Sequence, residues 1–194
     1  MIDSNIRDIP KIHSEIERRS EEIGFTMPSD IYVGTLLKTL VSSKPGGRFL
    51  EVGTGIGLSL SWMIGGMDGD SSLITVDNDP DLIGIANEYF GTDDRVELVC
   101  RDGGEWIKNY HGEKFDLIFA DAWPGKYSEI KEMLKLVNVG GFYVIDDMMA
   151  QANWPEGHQK NVEDLVEHLE GRIDFNLTKL NWSTGLIIAV RIQT

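Results

Sequence analysis

The feature that most constrains this chain is a short apolar run followed by three glycines at alternate positions. The pattern reads Glu51-x-Gly53-x-Gly55-x-Gly57, and a helical stretch begins directly after it. Glycine lacks a Cβ and tolerates positive φ, so the main chain can come very close to a ligand here. The free N–H groups of the following helix also point toward whatever lies above the strand end. The sequence therefore predicts a strand, a tight turn and a helix that together bind a ligand.

Strand-like and helical stretches then alternate along the chain. The predicted strands span 48–52, 73–77, 96–100, 115–120 and 142–146, and the helices between them span 58–67, 80–90, 104–110 and 127–137. Such alternation favours a parallel sheet with helices on both faces. A helix near 159–169 precedes two more strands, at 175–180 and 186–191, and the five-residue loop joining them requires an antiparallel pair. The predicted fold class is α/β, a Rossmann-like seven-stranded sheet whose last strand is antiparallel.

The length of 194 residues predicts one domain, residues 1–194. Residues 1–24 form a helical appendage in this prediction, because isoleucines recur among charges at nearly helical spacing. Such a stripe suits packing on a second copy of the chain, so a homodimer is an open alternative to a monomer. A second predicted helix covers about 29–42.

Composition limits the partners of the chain. The formal net charge is −14, with lysines and arginines scattered, so nucleic acid would be repelled from most of the surface. No apolar run approaches the roughly 20 residues that a membrane span needs, and the N-terminus is polar rather than signal-like. The single cysteine, Cys100, allows no internal disulfide. These features predict a cytoplasmic protein with a small-molecule substrate.

The glycine spacing differs from that of nicotinamide-binding folds, which use G-x-G-x-x-G. With the reversed final hairpin, it resembles the class I S-adenosylmethionine (SAM)-dependent methyltransferases. SAM carries an ammonium group and no phosphate, which suits an acidic residue at the end of the first strand. The resemblance implies that the methionine end of SAM is held by residues of this turn. They are Glu51, Gly53, Thr54, Gly55, Gly57 and Ser59.

The resemblance also assigns the rest of the cofactor site. Asp77, with Asn78, would accept hydrogen bonds from the ribose, and Asp102, with Gly103, would lie beside the adenine amino group. Asp79 is expected to cap the helix that begins at the following proline. Purely structural roles stay open for Asp77 and Asp102, the latter as a helix N-cap.

Asp121 ends the fourth strand, and Asp146 and Asp147 end the fifth. These ends should be neighbours, so three carboxylates converge and would repel one another unless a positive group sits among them. The pattern resembles the caffeoyl-CoA and catechol O-methyltransferase group, which holds a divalent cation at this place. Oxygen ligands suit Mg²⁺, Mn²⁺ or Ca²⁺. Alternatively, Asp121 binds the SAM ammonium group, the other two are capping or solvated, and no metal is present.

The same resemblance assigns catalytic roles to Asp121 and Lys126, the latter as general base. Two departures stand out. Asp147 replaces the asparagine of that group, and Lys126 follows Asp121 by five residues, farther than in catechol-type enzymes. The alternative for Lys126 is a solvated lysine at a helix start.

Aromatic residues near these carboxylates suggest an acceptor pocket. Trp123, Trp154 and His158 could line it, although aromatic side chains in loops also serve plain packing. The other histidines, His13, His111 and His168, are expected to be solvated.

These features together predict SAM-dependent methylation of a hydroxyl on a small, aromatic acceptor by in-line displacement. Three alternatives remain open. One is aminopropyl transfer of the spermidine synthase type, another is a SAM-binding regulatory module without catalysis, and the third is a nicotinamide dehydrogenase.

Overall fold

The computed structural model describes residues 2–151 and 154–193. Seven strands form one sheet in the described part of the chain, in the order β3-β2-β1-β4-β5-β7-β6. The strands are β1 Arg48–Val52, β2 Ser72–Asp77, β3 Val96–Cys100, β4 Phe115–Ala120, β5 Val137–Ile145, β6 Phe175–Leu180 and β7 Leu186–Arg191. The helices are α1 His13–Ile23, α2 Ile31–Ser42, α3 Leu58–Gly66, α4 Pro80–Phe90, α5 Gly103–Asn109, α6 Ile130–Lys135 and α7 His158–Glu170.

The sheet confirms the predicted fold class. Strands β1 to β5 pair in parallel, whereas β7 pairs antiparallel with both β5 and β6. The last strand therefore lies between two earlier ones, and its antiparallel pairing with β6 is the one that the short loop required. Strand β5 begins at Val137 rather than at 142, and α6 is correspondingly shorter than the predicted helix over 127–137. Gly140, with φ of 78°, lies within the early part of β5.

Two apolar layers flank the sheet. Helices α1 to α4 pack on one face, where Phe49 of β1 and Phe119 of β4 are fully buried. Helices α5 to α7 pack on the other, with Leu50 of β1 and Ile118 of β4 at the centre of that core. Neighbouring residues of one strand thus face opposite layers, as the pleat requires. Both layers leave the carboxyl ends of the central strands free for a site.

The N-terminal helix is shorter than predicted and begins only at His13, three residues after Pro10. Its Ile16 is fully buried against the first apolar layer, whereas Ile9 and Ile23 are about two-fifths exposed. The centre of the isoleucine stripe therefore packs within the chain itself. Association through the rest of the stripe stays a prediction.

His13 corrects the prediction of a solvated side chain. It is 4% exposed, its Nδ1 lies 3.3 Å from Ser61 Oγ, and its ring packs edge-on against Trp62. Burial lowers its pKa. His168 is half-buried, and His111 is exposed as expected. In the described ranges, no helix combines the length and apolar character needed to cross a membrane.

Candidate active site

The turn after β1 requires glycine at three positions, because of its backbone conformation and its close packing. Gly53, Gly55 and Gly57 have φ of 103°, 51° and 95°, values that favour glycine strongly. A Cβ on Gly53 would lie 2.6 Å from the main-chain oxygen of Asp121, and one on Gly57 would lie 2.7 Å from the ring of Phe90. The turn therefore packs directly on the end of β4 and on α4.

Asp77 fixes this turn from the neighbouring strand. Its Oδ2 accepts a hydrogen bond from the Gly55 N–H at 2.9 Å, and its Oδ1 accepts one from Asp79 N–H at 3.0 Å. Asp79 caps α4 as predicted, accepting from the N–H groups of Asp81 and Leu82. Each carboxylate oxygen can accept more than one bond, so Asp77 keeps capacity for a ligand hydroxyl.

A cavity of about 590 Å³ opens over the carboxyl ends of the central strands. Two groups of predicted site residues line it, one from the turn and one from the ends of β2, β4 and β5. The first group comprises Gly53, Thr54 and Gly55; the second comprises Asp77, Asn78, Asp121, Lys126, Asp146 and Asp147. Asp102 and Gly103 line an adjoining pocket of about 220 Å³ that shares Gly53, Asp77 and Asn78 with it. The structure thus joins both halves of the predicted site.

Asp102 also caps α5, because its Oδ1 accepts the Glu105 N–H at 2.8 Å. Asp102 therefore has the helix-capping contact that the sequence left open as an alternative. Its position in the adjoining pocket is compatible with a ligand as well.

Three predicted residues lie outside both cavities: Glu51, Gly57 and Ser59. Glu51 is fully buried, and its two oxygens accept from Ser59 Oγ and Thr75 Oγ1, both at 2.6 Å. Thr75 in turn lies 2.6 Å from the Thr54 hydroxyl. Burial raises the pKa of Glu51 to about 7 against the effect of these hydrogen bonds. Glu51 thus has a structural place inside the fold, and its contact with the SAM ammonium group stays a prediction.

The carboxylates of β4 and β5 do converge. Asp121 is half-buried, its pKa lies well above the usual range because of desolvation and because of Asp146, and the Ser29 hydroxyl lies 3.4 Å from its Oδ2. Asp146 is 2% exposed, and burial raises its pKa to about 6. Its Oδ1 accepts the Asp147 N–H at 2.7 Å and also the Thr184 hydroxyl. Asp147 itself has φ of 55°, uncommon for a residue with a side chain.

Lys126 lies in the field of these carboxylates. It is 5% exposed, which overturns the alternative of a solvated lysine. Its positive charge lowers the pKa of both Asp121 and Asp146 against the effect of burial. Its Nζ lies 5.4 Å from the ring centroid of Tyr127. The lysine is therefore a positive group among the three carboxylates.

The residues fit the predicted metal only partly. Carboxylate oxygens suit a hard divalent cation. However, in residues 2–151 and 154–193 no three or more side chains of histidine, cysteine, aspartate or glutamate are grouped so as to hold a metal ion. Asp146 moreover uses Oδ1 for two internal hydrogen bonds.

Four aromatic rings form a cluster at the cavity. Trp123 lies 4.9 Å from Tyr127, and His158 lies 4.9 Å from Tyr127 and 4.6 Å from Trp154, measured between ring centroids. All four residues line the cavity, and Trp123 is 51% exposed. The cluster joins the loop after β4 to the start of α7.

Sequence reasoning missed Ser29, Tyr127 and Thr184. Ser29 stands beside Asp30, which provides the N-cap of α2. Thr184 belongs to the β6–β7 turn, and nothing in its local sequence indicates that it meets the end of β5. Tyr127 could have been found from the sequence, because this tyrosine directly follows Lys126 in the motif after β4.

The fold and this site define a class I methyltransferase architecture. Two solved structures show the same fold. An O-methyltransferase from Bacillus cereus in complex with S-adenosylhomocysteine (SAH) has 22% identity and a TM-score of 0.81, covering 96% of this chain and 92% of that one. The O-methyltransferase TomG from Streptomyces achromogenes, in complex with SAM, has 22% identity and a TM-score of 0.84, covering 98% and 93%.

Sequence comparison identifies the family. Residues 14–182 match the O-methyltransferase family. A Mycobacterium leprae protein, named provisionally as an O-methyltransferase, is 32% identical over 139 residues, which cover 69% of this chain. The match spans 62% of the length of that relative. The chain belongs to the O-methyltransferase family.

Proposed function

We propose that the protein transfers the methyl group of SAM to a hydroxyl of a small, aromatic acceptor. The observation that carries this is a single cavity with the glycine turn at one end and, at the other, three aspartates, the buried Lys126 and aromatic rings. Family membership supports hydroxyl methylation over aminopropyl transfer, a regulatory module or nicotinamide chemistry.

The cofactor would lie along the ends of β1 and β2. The turn at Gly53–Gly55 would leave room for the methionine end, and Asp77 with Asn78 would meet the ribose. The adjoining pocket with Asp102 and Gly103 would take the adenine. The complexes of the Bacillus and Streptomyces proteins with SAH and SAM support this proposal. Asp121 remains a candidate for the ammonium group, because its carboxyl lines the same cavity.

Methyl transfer would proceed by attack of the acceptor oxygen on the SAM methyl carbon, with the sulfur leaving as the thioether of SAH. The acceptor hydroxyl loses its proton, and Lys126 is the nearby base that could take it once its own proton has gone to solvent. The chain would act mainly by orienting the two substrates and by placing charge around the acceptor oxygen.

A divalent cation at Asp121, Asp146 and Asp147 remains a proposal. If bound, it would lower the pKa of the acceptor hydroxyl. Chelation tests this directly: loss of turnover in EDTA that Mg²⁺ restores would support the cation. Turnover that is insensitive to EDTA would refute the cation and leave methyl transfer standing.

The charge of the cavity narrows the acceptor class. Six aspartates line it, at positions 30, 77, 79, 121, 146 and 147, and Lys126 is the one lysine or arginine among the described lining residues. A polyanionic acceptor such as a coenzyme A thioester would be repelled by this arrangement. We therefore propose a neutral or amine-bearing aryl hydroxyl.

Two measurements test the proposed function. Thermal shift with SAM, SAH and decarboxylated SAM identifies the donor, and a clear preference for the decarboxylated compound would overturn it. Methyl transfer from labelled SAM is then followed with catechol, an amine-bearing catechol and caffeoyl-CoA. We expect turnover with the first two. Turnover with caffeoyl-CoA alone would refute the acceptor class but not the methyl transfer.

A further inference from the structure

We propose that His158 is a positioning residue that leaves the Tyr127 hydroxyl free to donate a hydrogen bond to the acceptor oxygen. This inference rests on the proposed function, because it concerns the acceptor end of the same cavity. It assigns Tyr127 as a catalytic group and His158 as the residue that orients it.

The two side chains meet directly. His158 Nε2 lies 3.2 Å from the Tyr127 hydroxyl, and the two rings are nearly perpendicular, at 85°. Trp154 packs edge-on against His158 from the same loop region, and Trp123 packs against Tyr127. Neither ring can therefore turn away without disturbing the cluster. The hydrogen bond fixes where the Tyr127 oxygen lies within the cavity.

The hydrogen bond can form in two ways. If Tyr127 donates, its single proton is used up, and neutral His158 must carry its proton on Nδ1. Nδ1 is buried and has no hydrogen-bond partner among the described residues, so an N–H there would be left unsatisfied. Buried N–H groups without a partner are rarer than unsatisfied acceptors. The favoured arrangement has Nε2–H donating to Tyr127, which leaves the tyrosine proton free.

The surroundings of Tyr127 keep that proton in place. Burial, and then the carboxylates of Asp147 and Asp121, raise its pKa to about 12. The hydroxyl therefore stays a donor at neutral pH, beside the same carboxylates that mark the acceptor end. As the acceptor oxygen loses its proton and becomes negative, such a donor stabilises it more strongly than it stabilises the neutral hydroxyl.

A double-substitution experiment tests the relation between the two residues. Tyr127→Phe should lower kcat by roughly a hundredfold, the usual effect of losing such a donor, with the KM for SAM unchanged. His158→Phe keeps a ring and loses the hydrogen bond, and should lower kcat less. Because His158 acts through Tyr127, the double variant should be no slower than Tyr127→Phe. His158→Gln, which keeps an N–H donor, should recover part of kcat.

Additive losses in the double variant would overturn the proposal, since they would mean that His158 acts only through packing. A second readout needs no turnover: ¹⁵N NMR of the histidine rings reports which nitrogen of His158 carries the proton. Protonated Nε2 supports the proposal, and protonated Nδ1 refutes it. If the wild type methylates no acceptor, the proposed function fails, and the NMR result still decides the role of His158. SAH affinity of each variant controls for folding.

Discussion

Replacing Glu51 by Gln should stabilise the protein at alkaline pH. Glu51 is fully buried between β1, β2 and α3, with its oxygens held by Ser59 and Thr75. Its raised pKa means that the folded state binds the proton more tightly than the unfolded chain. The stability that Glu51 contributes is therefore fully present below about pH 4.5 and is lost as the pH rises through about 7.

The size of the effect follows from the pKa. A rise from 4.5 to about 7 is about 2.5 pKa units, and each unit corresponds to about 1.36 kcal/mol. Ionised Glu51 therefore costs about 3 kcal/mol at pH 8. A neutral glutamine of the same shape avoids this cost, because one hydroxyl can turn to accept from its NH2 while the other still donates to its oxygen. The expected gain is about 2 to 3 kcal/mol at pH 8 and close to zero at pH 4.5.

The assay is urea unfolding of both proteins between pH 4.5 and 8.5, with Glu88→Gln on the exposed face of α4 as the matched control. We expect the difference between Glu51→Gln and wild type to grow with pH, and the control to run parallel to wild type. Parallel curves for Glu51→Gln would refute the argument. SAH affinity in the same samples tests the predicted cofactor role: a tenfold loss of affinity in Glu51→Gln would support a place for Glu51 in the cofactor site.

Three further outcomes are expected. Gly53→Ala should lower the free energy of unfolding by about 2 to 4 kcal/mol, because of the positive φ and the clash with the main chain, and should also lose SAH affinity. The control is Gly84→Ala, in open space on α4, which should gain up to about 1 kcal/mol. Urea unfolding measures both. Burial lowers the pKa of His13, so its contribution is present above pH 6.5 and lost as the pH falls; thermal melts should show a weaker acid dependence in His13→Gln. Asp147→Asn removes a negative charge from the cavity, so kcat/KM for a carboxylate-bearing aryl hydroxyl should rise roughly tenfold relative to that for an amine-bearing one. Asp70→Asn, in the exposed loop before β2, should leave that ratio unchanged.

Local patterns were sufficient for the sheet and for the glycine turn. The residues of each strand and of the turn after it are close together in the sequence. The glycine spacing therefore indicated the positive φ at Gly53, and the short β6–β7 loop indicated the antiparallel pair. The buried His13 was also within reach, because it shares a helical face with Ile16 and Ser20, three and seven positions later. The error there was to treat a polar residue as solvated without placing it on that face.

The features that the sequence did not show depend on distant contacts. Glu51 lies inside β1 rather than beyond it, and hydroxyls from α3 and β2 take both of its oxygens. Which face of the sheet it occupies cannot be inferred from a motif. The exposure of Lys126 likewise depends on how the loop after β4 folds back, with Gly125 at φ of 83° and its carbonyl accepting from the buried Tyr143. That loop geometry has no local signature.

The position of β7 has a consequence for the order in which the molecule can assemble. β7 is synthesised after β6 yet separates it from β5, so β6 has no sheet partner until β7 has left the ribosome. The turn between them supplies Thr184, which holds Asp146. A nascent chain that ends before residue 184 could already pair β1 to β5 but would lack that contact. The acceptor end of the cavity is therefore expected to be completed last during synthesis.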